Sequence, residues 1–229
     1  MKSLSLLACL VVFSFSLDHH WIMKDRKTKS WLELRDEGLV RQKYDYSCGS
    51  ASLATIMTYF YASSVTEKEI WDFVVKKKNI DFDALSLDNL GDLKDKGLSF
   101  LDLSEFAESK GFKAIGLALD FKSLKQLKVP AIVFLNIRKT EHFSVYKGMD
   151  DRYVYLADSS FGNIKISLKR FKKAFYQRDD KKHPGKILAI LPKNIDGVVG
   201  KPEFMQIKQS SHLQSLLREK ISTKSFKAW

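Results

Sequence analysis

The first candidate for chemistry in this chain is Cys48. The chain has two cysteines, and the other, Cys9, lies in an apolar run at the N-terminus. Cys48 stands where a polar segment gives way to residues 49–54, whose composition is typical of a helix. A thiol in the first turn of a helix lies at the positive end of the helix dipole, which favours the thiolate. Cys48 is therefore a candidate nucleophile. The apolar run that contains Cys9 has the character of a secretory signal, and its removal would leave Cys48 as the one cysteine of an exported protein. The alternative for such a cysteine is an intermolecular disulfide.

Three further residues complete a set that could hydrolyse an amide. A thiolate nucleophile needs an imidazole to protonate the leaving amine, a group to orient that imidazole, and donors for the oxyanion. His142 begins one predicted strand, and Asp158, sixteen residues later, ends the next. Antiparallel neighbours joined by a tight turn bring these two ends together. The candidate oxyanion donors are the backbone N–H of Cys48 and the side-chain amide of Gln42, six residues earlier.

Each of these residues, taken alone, also has a structural interpretation. A lone cysteine in a helix is more often a small buried apolar residue than a nucleophile. A histidine at the start of a strand is commonly structural, and the run Asp158-Ser159-Ser160 is typical of a turn. The combination of all four, each at the end of a predicted element, indicates nucleophilic catalysis at Cys48.

The elements that must position these residues are helices in the first half of the chain and strands in the second. Apolar residues at helical spacing predict helices at about residues 48–61 and 101–110, and Ser64 with Glu67 forms a capping-box pattern that opens another. Strands are predicted at residues 113–119, 131–136, 142–147, 153–157, 165–168 and 187–191, with short helices at 121–127 and 168–176. Helices followed by an antiparallel sheet define the α+β class.

The chain divides into four predicted segments. They are a signal peptide at residues 1–16, an N-terminal arm at 17–39, the main domain at 40–192, and a basic C-terminal extension at 193–229 with one amphipathic helix at 212–221. The signal predicts an exported protein, in the periplasm or outside the cell. An uncleaved signal that anchors the protein in the membrane is the alternative.

The composition excludes several classes of function. A content of 45% hydrophobic and 12% aromatic residues is that of a folded globule. The net charge of +12 comes from dispersed lysines without a nucleic-acid-binding signature, so no nucleic acid partner is expected. The sequence contains no Gly-rich phosphate-binding loop, so ATP binding is not expected. The cysteine and the histidines are scattered and do not have the spacing of metal ligands. We therefore expect neither a metal nor a cofactor.

The chain resembles the double-glycine leader peptidase family, the papain-like cysteine peptidase domains of bacteriocin ABC exporters, and most closely the stand-alone exported branch. The resemblance covers about residues 40–191 and rests on Gln42, Cys48-Gly49-x-Ala51, His142-Phe143-x-Val145 and Tyr155-Leu156-Ala157-Asp158. It implies a papain-like α+β fold with N-terminal helices packed on an antiparallel sheet. It also implies that Cys48 is the nucleophile, His142 the general acid–base, Asp158 its orienting group and Gln42 an oxyanion donor.

Two positions depart from the pattern of the exporter domains. Ser47 stands where those domains usually have an acidic residue, and Ser159 stands where they commonly have proline. Neither departure removes a catalytic group. Both weaken the expectation that the substrate is a bacteriocin leader.

The function implied by this resemblance is an exported cysteine peptidase that hydrolyses a peptide bond through a thioester, after small residues such as Gly-Gly, in a secreted partner or leader. Tyr44, Tyr46 and Phe143 are candidate substrate-lining residues, with core packing as the alternative for Phe143. A peptide or protein substrate is expected, and a secretion or pilus-assembly system is a candidate partner. One alternative is a catalytically inactive peptide-binding or chaperone-like accessory protein of a secretion system on the same fold. Another is different thiol chemistry, such as acyl transfer.

Overall fold

A single antiparallel sheet with helices on both faces forms the framework of the protein. The computed structural model describes residues 29–78, 97–137, 139–194 and 199–205. Within them, the sheet has six strands, and two clusters of buried apolar side chains lie on its opposite faces. The predicted α+β class, with N-terminal helices packed on an antiparallel sheet, is confirmed.

The first face of the sheet is covered by helices from the N-terminal part of the chain. The helices of this part are α1 (Trp31–Asp36), α2 (Cys48–Thr55), which continues as a π-helix (Ile56–Phe60), α3 (Glu67–Lys77) and α4 (Phe100–Ser109). Leu53, Ile70 and Leu103 are fully buried and join Ile132 and Val145 of the sheet in one core cluster. Burial of each such side chain contributes about 1.5–3 kcal/mol, so this cluster holds the helix layer on the sheet.

The strands come from the second half of the chain, with two short helices between them. They are β1 (Phe112–Leu119), β2 (Ala131–Ile137), β3 (Thr140–Met149), β4 (Tyr153–Asp158), β5 (Gly162–Ser167) and β6 (Gly185–Pro192), in the order β1-β6-β2-β3-β4-β5. The helices α5 (Phe121–Lys125) and α6 (Leu168–Phe175) cover the second face. Leu124, Phe171 and Phe175 are buried there against Val133 and Leu156.

The start of α3 differs from its sequence prediction. The helix begins at Glu67 and its capping residue is Thr66, not Ser64. Thr66 accepts a hydrogen bond from the Glu69 backbone, and the Glu69 carboxylate accepts one from the Thr66 backbone N–H. The same Ser/Thr-x-x-Glu spacing occurs twice in succession, and Thr66 with Glu69 forms the cap.

The register of β3 and β4 places His142 and Asp158 on the same side of the sheet. Val145 pairs with Ala157 and Tyr146 with Leu156, so Ser144 is the next position opposite Asp158. Directly opposed residues of antiparallel strands project to the same face, and so do residues two apart on one strand. His142 is two residues from Ser144, and it therefore projects toward Asp158.

The described part of the N-terminal arm packs on the edge strand β5. The side-chain amide of Asn163 donates hydrogen bonds to the carbonyl oxygens of Arg35 at 3.0 Å and Glu37 at 2.7 Å. Gly162 has a φ of +91° and lies directly against Arg35. The arm thus contacts the first two residues of β5, which directly follow the turn after Asp158. The predicted limits of the arm, like those of the other three segments, remain predictions.

The start of the C-terminal extension also contacts the domain. The 3-10 helix Pro202–Met205 buries Phe204 against Phe60, with ring centroids 6.1 Å apart, and Lys201 donates a backbone hydrogen bond to Phe60. The predicted signal peptide at 1–16 and the predicted helix at 212–221 lie outside the described residues. Within the described ranges, no helix has both the length and the apolar character needed to cross a membrane.

We predict that Gly162→Ala destabilises the fold by about 3 kcal/mol, because a Cβ at a positive φ is strained and overpacks its neighbour. The added Cβ would overlap the Arg35 Cγ and lie 2.9 Å from the Arg35 carbonyl oxygen. Gly116→Ala in β1 is the matched control, since no heavy atom lies within 4 Å of its added Cβ. Urea unfolding of both variants provides the measurement. Equal stability of the two variants would contradict the packing of the arm on β5.

Candidate active site

Cys48 is the first residue of α2, and a tight turn places it there. The Tyr44 carbonyl oxygen accepts hydrogen bonds from the Ser47 backbone N–H at 3.1 Å and from the Ser47 hydroxyl at 2.8 Å. The helix then begins with a hydrogen bond from Ala51 N–H to the Ser47 carbonyl oxygen. Cys48 is a free thiol with 9% of its surface exposed. Its backbone N–H belongs to the first turn, where N–H groups have no partner within the helix.

His142 and Asp158 form a short, buried hydrogen bond. His142 Nε2 lies 2.9 Å from Asp158 Oδ2, and the two side chains are 12% and 0% exposed. The arrangement is the one that the strand-end argument predicted, although β3 begins two residues before His142. Because Asp158 engages Nε2, the other ring nitrogen, Nδ1, is the one left for the thiol of Cys48.

The electrostatics of the site favour a charged imidazole. Burial lowers the pKa of His142, but hydrogen bonds to Asp158 and Cys48, together with the negative charges of both groups, outweigh burial and raise it to about 10. Burial raises the pKa of Asp158, but the hydrogen bond and charge of His142 outweigh that effect and lower it. Both shifts favour the same state, a carboxylate beside an imidazolium.

Asp158 is held by the backbone that follows it. Its Oδ1 accepts hydrogen bonds from the N–H groups of Ser160 at 3.0 Å and Phe161 at 2.9 Å. These two donors leave Oδ2 for His142. The backbone N–H of Phe161 also helps to lower the pKa of the Asp158 carboxyl. The turn predicted from the Asp158-Ser159-Ser160 run is therefore present, and it also orients the carboxylate.

Gln42 lies between the loop before Cys48 and the segment after Asp158. Its side-chain N–H groups point to the carbonyl oxygens of Tyr44 at 2.8 Å and Asp45 at 3.5 Å. Its Oε1 accepts hydrogen bonds from the hydroxyls of Ser159 at 2.8 Å and Ser160 at 2.6 Å. The 3.5 Å contact is too long for a strong hydrogen bond, so one N–H retains donor capacity. The role of Gln42 as an oxyanion donor remains a prediction.

The three predicted lining residues have different surroundings. Tyr44 is 58% exposed and stacks on Tyr46 with ring centroids 5.4 Å apart, and Tyr46 in turn packs on Trp71 at 4.9 Å. Phe143 is 9% exposed and belongs to the core cluster of the helix layer. Its ring lies where a Cβ added to Gly49 would come within 3.1 Å. The ring of Phe143 fills the contact between β3 and α2, which is the core packing named as its alternative, and its substrate-lining role stays a prediction.

Two features of the site were not predicted from the sequence. Phe161 is 61% exposed, and its ring centroid lies 6.5 Å from that of His142 in an edge-on arrangement. Ser159 and Ser160 hydrogen-bond to Gln42. Their position directly after Asp158 was the one available signal. In the described part of the chain, no group of three or more His, Cys, Asp or Glu side chains is placed to hold a metal ion.

Comparison with known families identifies the domain. The model of the peptidase C39 family matches residues 72–178, a range that includes His142 and Asp158 and begins after Cys48. An uncharacterized protein of Methanothermobacter thermautotrophicus is 31% identical over 142 residues, which cover 62% of this chain and 85% of that protein. The probable functional amyloid protease FapD of Pseudomonas aeruginosa is 32% identical over 150 residues, or 66% of this chain.

The match to the FapD proteins is partial in length. It spans 62% of the Pseudomonas aeruginosa protein and 58% of its Pseudomonas fluorescens counterpart, which is 32% identical over 142 residues. The part of this chain that matches therefore corresponds to somewhat less than two thirds of those relatives.

Solved structures show the same fold. A double glycine motif protease from an AMS/PCAT transporter, in complex with the leader peptide, has 24% sequence identity and a TM-score of 0.50, covering 67% of this chain and 90% of that one. The peptidase domain of Streptococcus ComA, a bifunctional ABC transporter, has 19% identity and a TM-score of 0.50, covering 68% and 98%. The fold is thus that of the papain-like peptidases. The chain belongs to the peptidase C39 family.

We predict that a protonated His142 raises the rate at which Cys48 reacts with the anion iodoacetate relative to the rate with neutral iodoacetamide. Since the His142 pKa is raised to about 10, the ratio of the two rates should be high at neutral pH and fall as the pH rises through about 10. His142→Asn, which cannot be charged, should show a low and constant ratio. A wild-type ratio equal to that of the variant at neutral pH would contradict the ion pair.

Proposed function

We propose that this protein is an exported cysteine peptidase that cleaves a peptide bond through a thioester on Cys48. The observation that carries the proposal is the convergence of three groups. The thiol at the start of α2 interacts with His142, and the other ring nitrogen of His142 lies 2.9 Å from a fully buried carboxylate. The chain belongs to the C39 peptidases and has relatives that are named proteases, and both findings support hydrolysis of a peptide bond.

The reaction proceeds in two halves. The Cys48 sulfur attacks the carbonyl carbon, a C–S bond forms, and the carbonyl electron pair moves to oxygen. As the intermediate collapses, the C–N bond breaks and the imidazolium of His142 gives its proton to the leaving amine. Neutral His142 then takes a proton from water as the water oxygen attacks the thioester. The C–S bond breaks, and the carboxylic acid product and the thiolate–imidazolium pair result.

The intermediate oxyanion needs donors that are already in position. The backbone N–H of Cys48 is one, because the first turn of a helix leaves its N–H groups without internal partners. The side-chain amide of Gln42 is the second. Its longer N–H contact, 3.5 Å to the Asp45 carbonyl oxygen, is the one that would be exchanged for the oxyanion.

The proposed substrate is an exported protein or peptide with small residues such as Gly-Gly before the cleaved bond. This preference comes from the resemblance to double-glycine peptidases. The relatives named functional amyloid proteases favour a substrate handled by a secretion or fibre-assembly system over a bacteriocin leader. The surface we propose for substrate contact is the exposed ring of Tyr44, stacked on the partly buried Tyr46, which precedes Cys48 by two residues in the chain.

One observation favours a second candidate, a peptide-binding accessory protein without catalysis. The shorter donor contact of Gln42 is to the Tyr44 carbonyl oxygen, so its amide serves partly to hold the loop before Cys48. If both N–H groups were retained there, the site would bind a peptide without stabilising an oxyanion. The retention of Cys48, His142 and Asp158 together argues for the peptidase.

We predict that the purified protein cleaves internally quenched peptides with Gly-Gly before the cleaved bond, and that Cys48→Ala lowers the rate by about a thousandfold or more, as loss of the nucleophile does in such enzymes. His142→Ala should have a comparable effect. Mass spectrometry should detect a thioester on the wild-type protein after rapid acid quench. A matched peptide library with valine in place of both glycines tests the preference.

The two candidates give different results in this experiment. Peptide binding with equal affinity to the wild-type protein and Cys48→Ala, without cleavage of any peptide, would support the accessory protein and contradict the peptidase. Release of the Gly-Gly product as an acyl conjugate of an added amine, rather than as an acid, would indicate acyl transfer.

A further inference from the structure

Hydrogen bonds fix both ends of the Gln42 side chain. Its Oε1 accepts from the Ser159 hydroxyl at 2.8 Å and the Ser160 hydroxyl at 2.6 Å. Its Nε2 donates to the Tyr44 carbonyl oxygen at 2.8 Å. The side chain thus joins the segment after the general acid–base pair to the loop before the nucleophile.

The chemistry of these partners determines which way the amide faces. A backbone carbonyl can only accept a hydrogen bond, so Nε2 must face Tyr44 and Asp45. A hydroxyl can donate, so the two serines are the suitable partners for Oε1. In the reversed orientation, Oε1 would face two carbonyl oxygens with no proton between them. The carbonyl oxygens therefore set the orientation of the amide, and the two serine hydroxyls satisfy Oε1 in that orientation.

The serines are themselves held in place. Ser159 is 2% exposed, and its carbonyl oxygen accepts the Gln42 backbone N–H at 3.2 Å. The Ser160 backbone donates to Asp158 Oδ1 at 3.0 Å, and its carbonyl oxygen accepts from the Arg41 guanidinium at 2.6 Å. The short segment that orients Asp158 therefore also orients Gln42. Proline at position 159 would supply no hydroxyl.

We propose that Ser159 and Ser160 are positioning residues that hold the Gln42 amide ready for the oxyanion. The inference rests on the proposed function, and it adds the residues that orient one oxyanion donor. Preorganised donors stabilise an oxyanion because they do not have to reorient during the reaction. Without the two hydroxyls, Oε1 loses its partners, and the bond to the Tyr44 carbonyl oxygen is left to hold the amide at one end.

The test uses two probes that make different demands on the site. Iodoacetamide reacts with the thiolate and forms no oxyanion. N-acetyl-Gly-Gly-aldehyde adds to the thiol and forms a hemithioacetal, whose oxygen occupies the oxyanion position. Both probes are applied to the wild-type protein, Gln42→Ala, Ser159→Ala/Ser160→Ala, and the triple variant.

In the serine double variant we expect the iodoacetamide rate and its pH profile to be unchanged and the aldehyde affinity to fall about tenfold. Gln42→Ala should lose about a hundredfold, as for the removal of one oxyanion donor. The triple variant should match Gln42→Ala, because the serines act through that side chain. Ser160→Thr, which keeps a hydroxyl, should retain more affinity than Ser160→Ala. The matched control is Ser104→Ala/Ser109→Ala, whose hydroxyls donate to the carbonyl oxygens of Leu101 and Phe106 within α4.

The contradicting results are distinct. Unchanged aldehyde affinity in the serine double variant, additive losses in the triple variant, or a slowed iodoacetamide reaction would each overturn the positioning role while the peptidase proposal stands. A wild-type protein that alkylates rapidly yet forms no aldehyde adduct would also overturn it. An ordinary alkylation profile of wild-type Cys48 would overturn the proposed function, and this inference with it.

Discussion

The buried hydrogen bond between His142 and Asp158 is the interaction on which the rest of the site depends. The side chains of Asp158 and His142 are 0% and 12% exposed, so the charged forms of both are costly to desolvate. Their attraction offsets this cost only if further hydrogen bonds satisfy the remaining donor and acceptor groups. Asp158 has those bonds, from the backbone N–H groups of Ser160 and Phe161. A buried pair so arranged keeps its proton on the ring, which is the state that the proposed mechanism requires of His142.

This pair in turn constrains the segments around it. The bend after Asp158 has to place two N–H groups on one carboxylate oxygen, and the same bend places Ser159 and Ser160 on Gln42. The strand that follows begins at Gly162, where the absent Cβ gives room to Arg35 and the N-terminal arm. On the other side, Phe143 projects from β3 onto Gly49 and positions the start of α2. Cys48 and His142 thus come from two layers, α2 and β3, and Phe143 lies at the contact between them.

Local signals in the sequence predicted most of this arrangement. The cysteine before a helix-forming run and the histidine and aspartate at the ends of a two-strand unit depend on neighbours in the chain, and the structure brings them together. The hydrogen bonds from Ser159 and Ser160 to Gln42 could not be predicted, because these serines lie 117 and 118 residues away. The burial of Phe143 depends on how α2 approaches the sheet, which periodicity does not report. The sequence also could not predict that Thr66 rather than Ser64 caps α3, since both residues fit the capping-box spacing.

The charge of the His142–Asp158 pair can be measured by titrating His142 with ¹⁵N NMR of histidine-labelled protein. We expect both ring nitrogens to keep the chemical shifts of an imidazolium through neutral pH and to change near pH 10, because Asp158 and Cys48 raise the pKa of the ring to about 10. Asp158→Asn should move that change to lower pH. A midpoint near the ordinary histidine value of about 6.5 in the wild-type protein would contradict the charged pair, and with it the proposed mechanism.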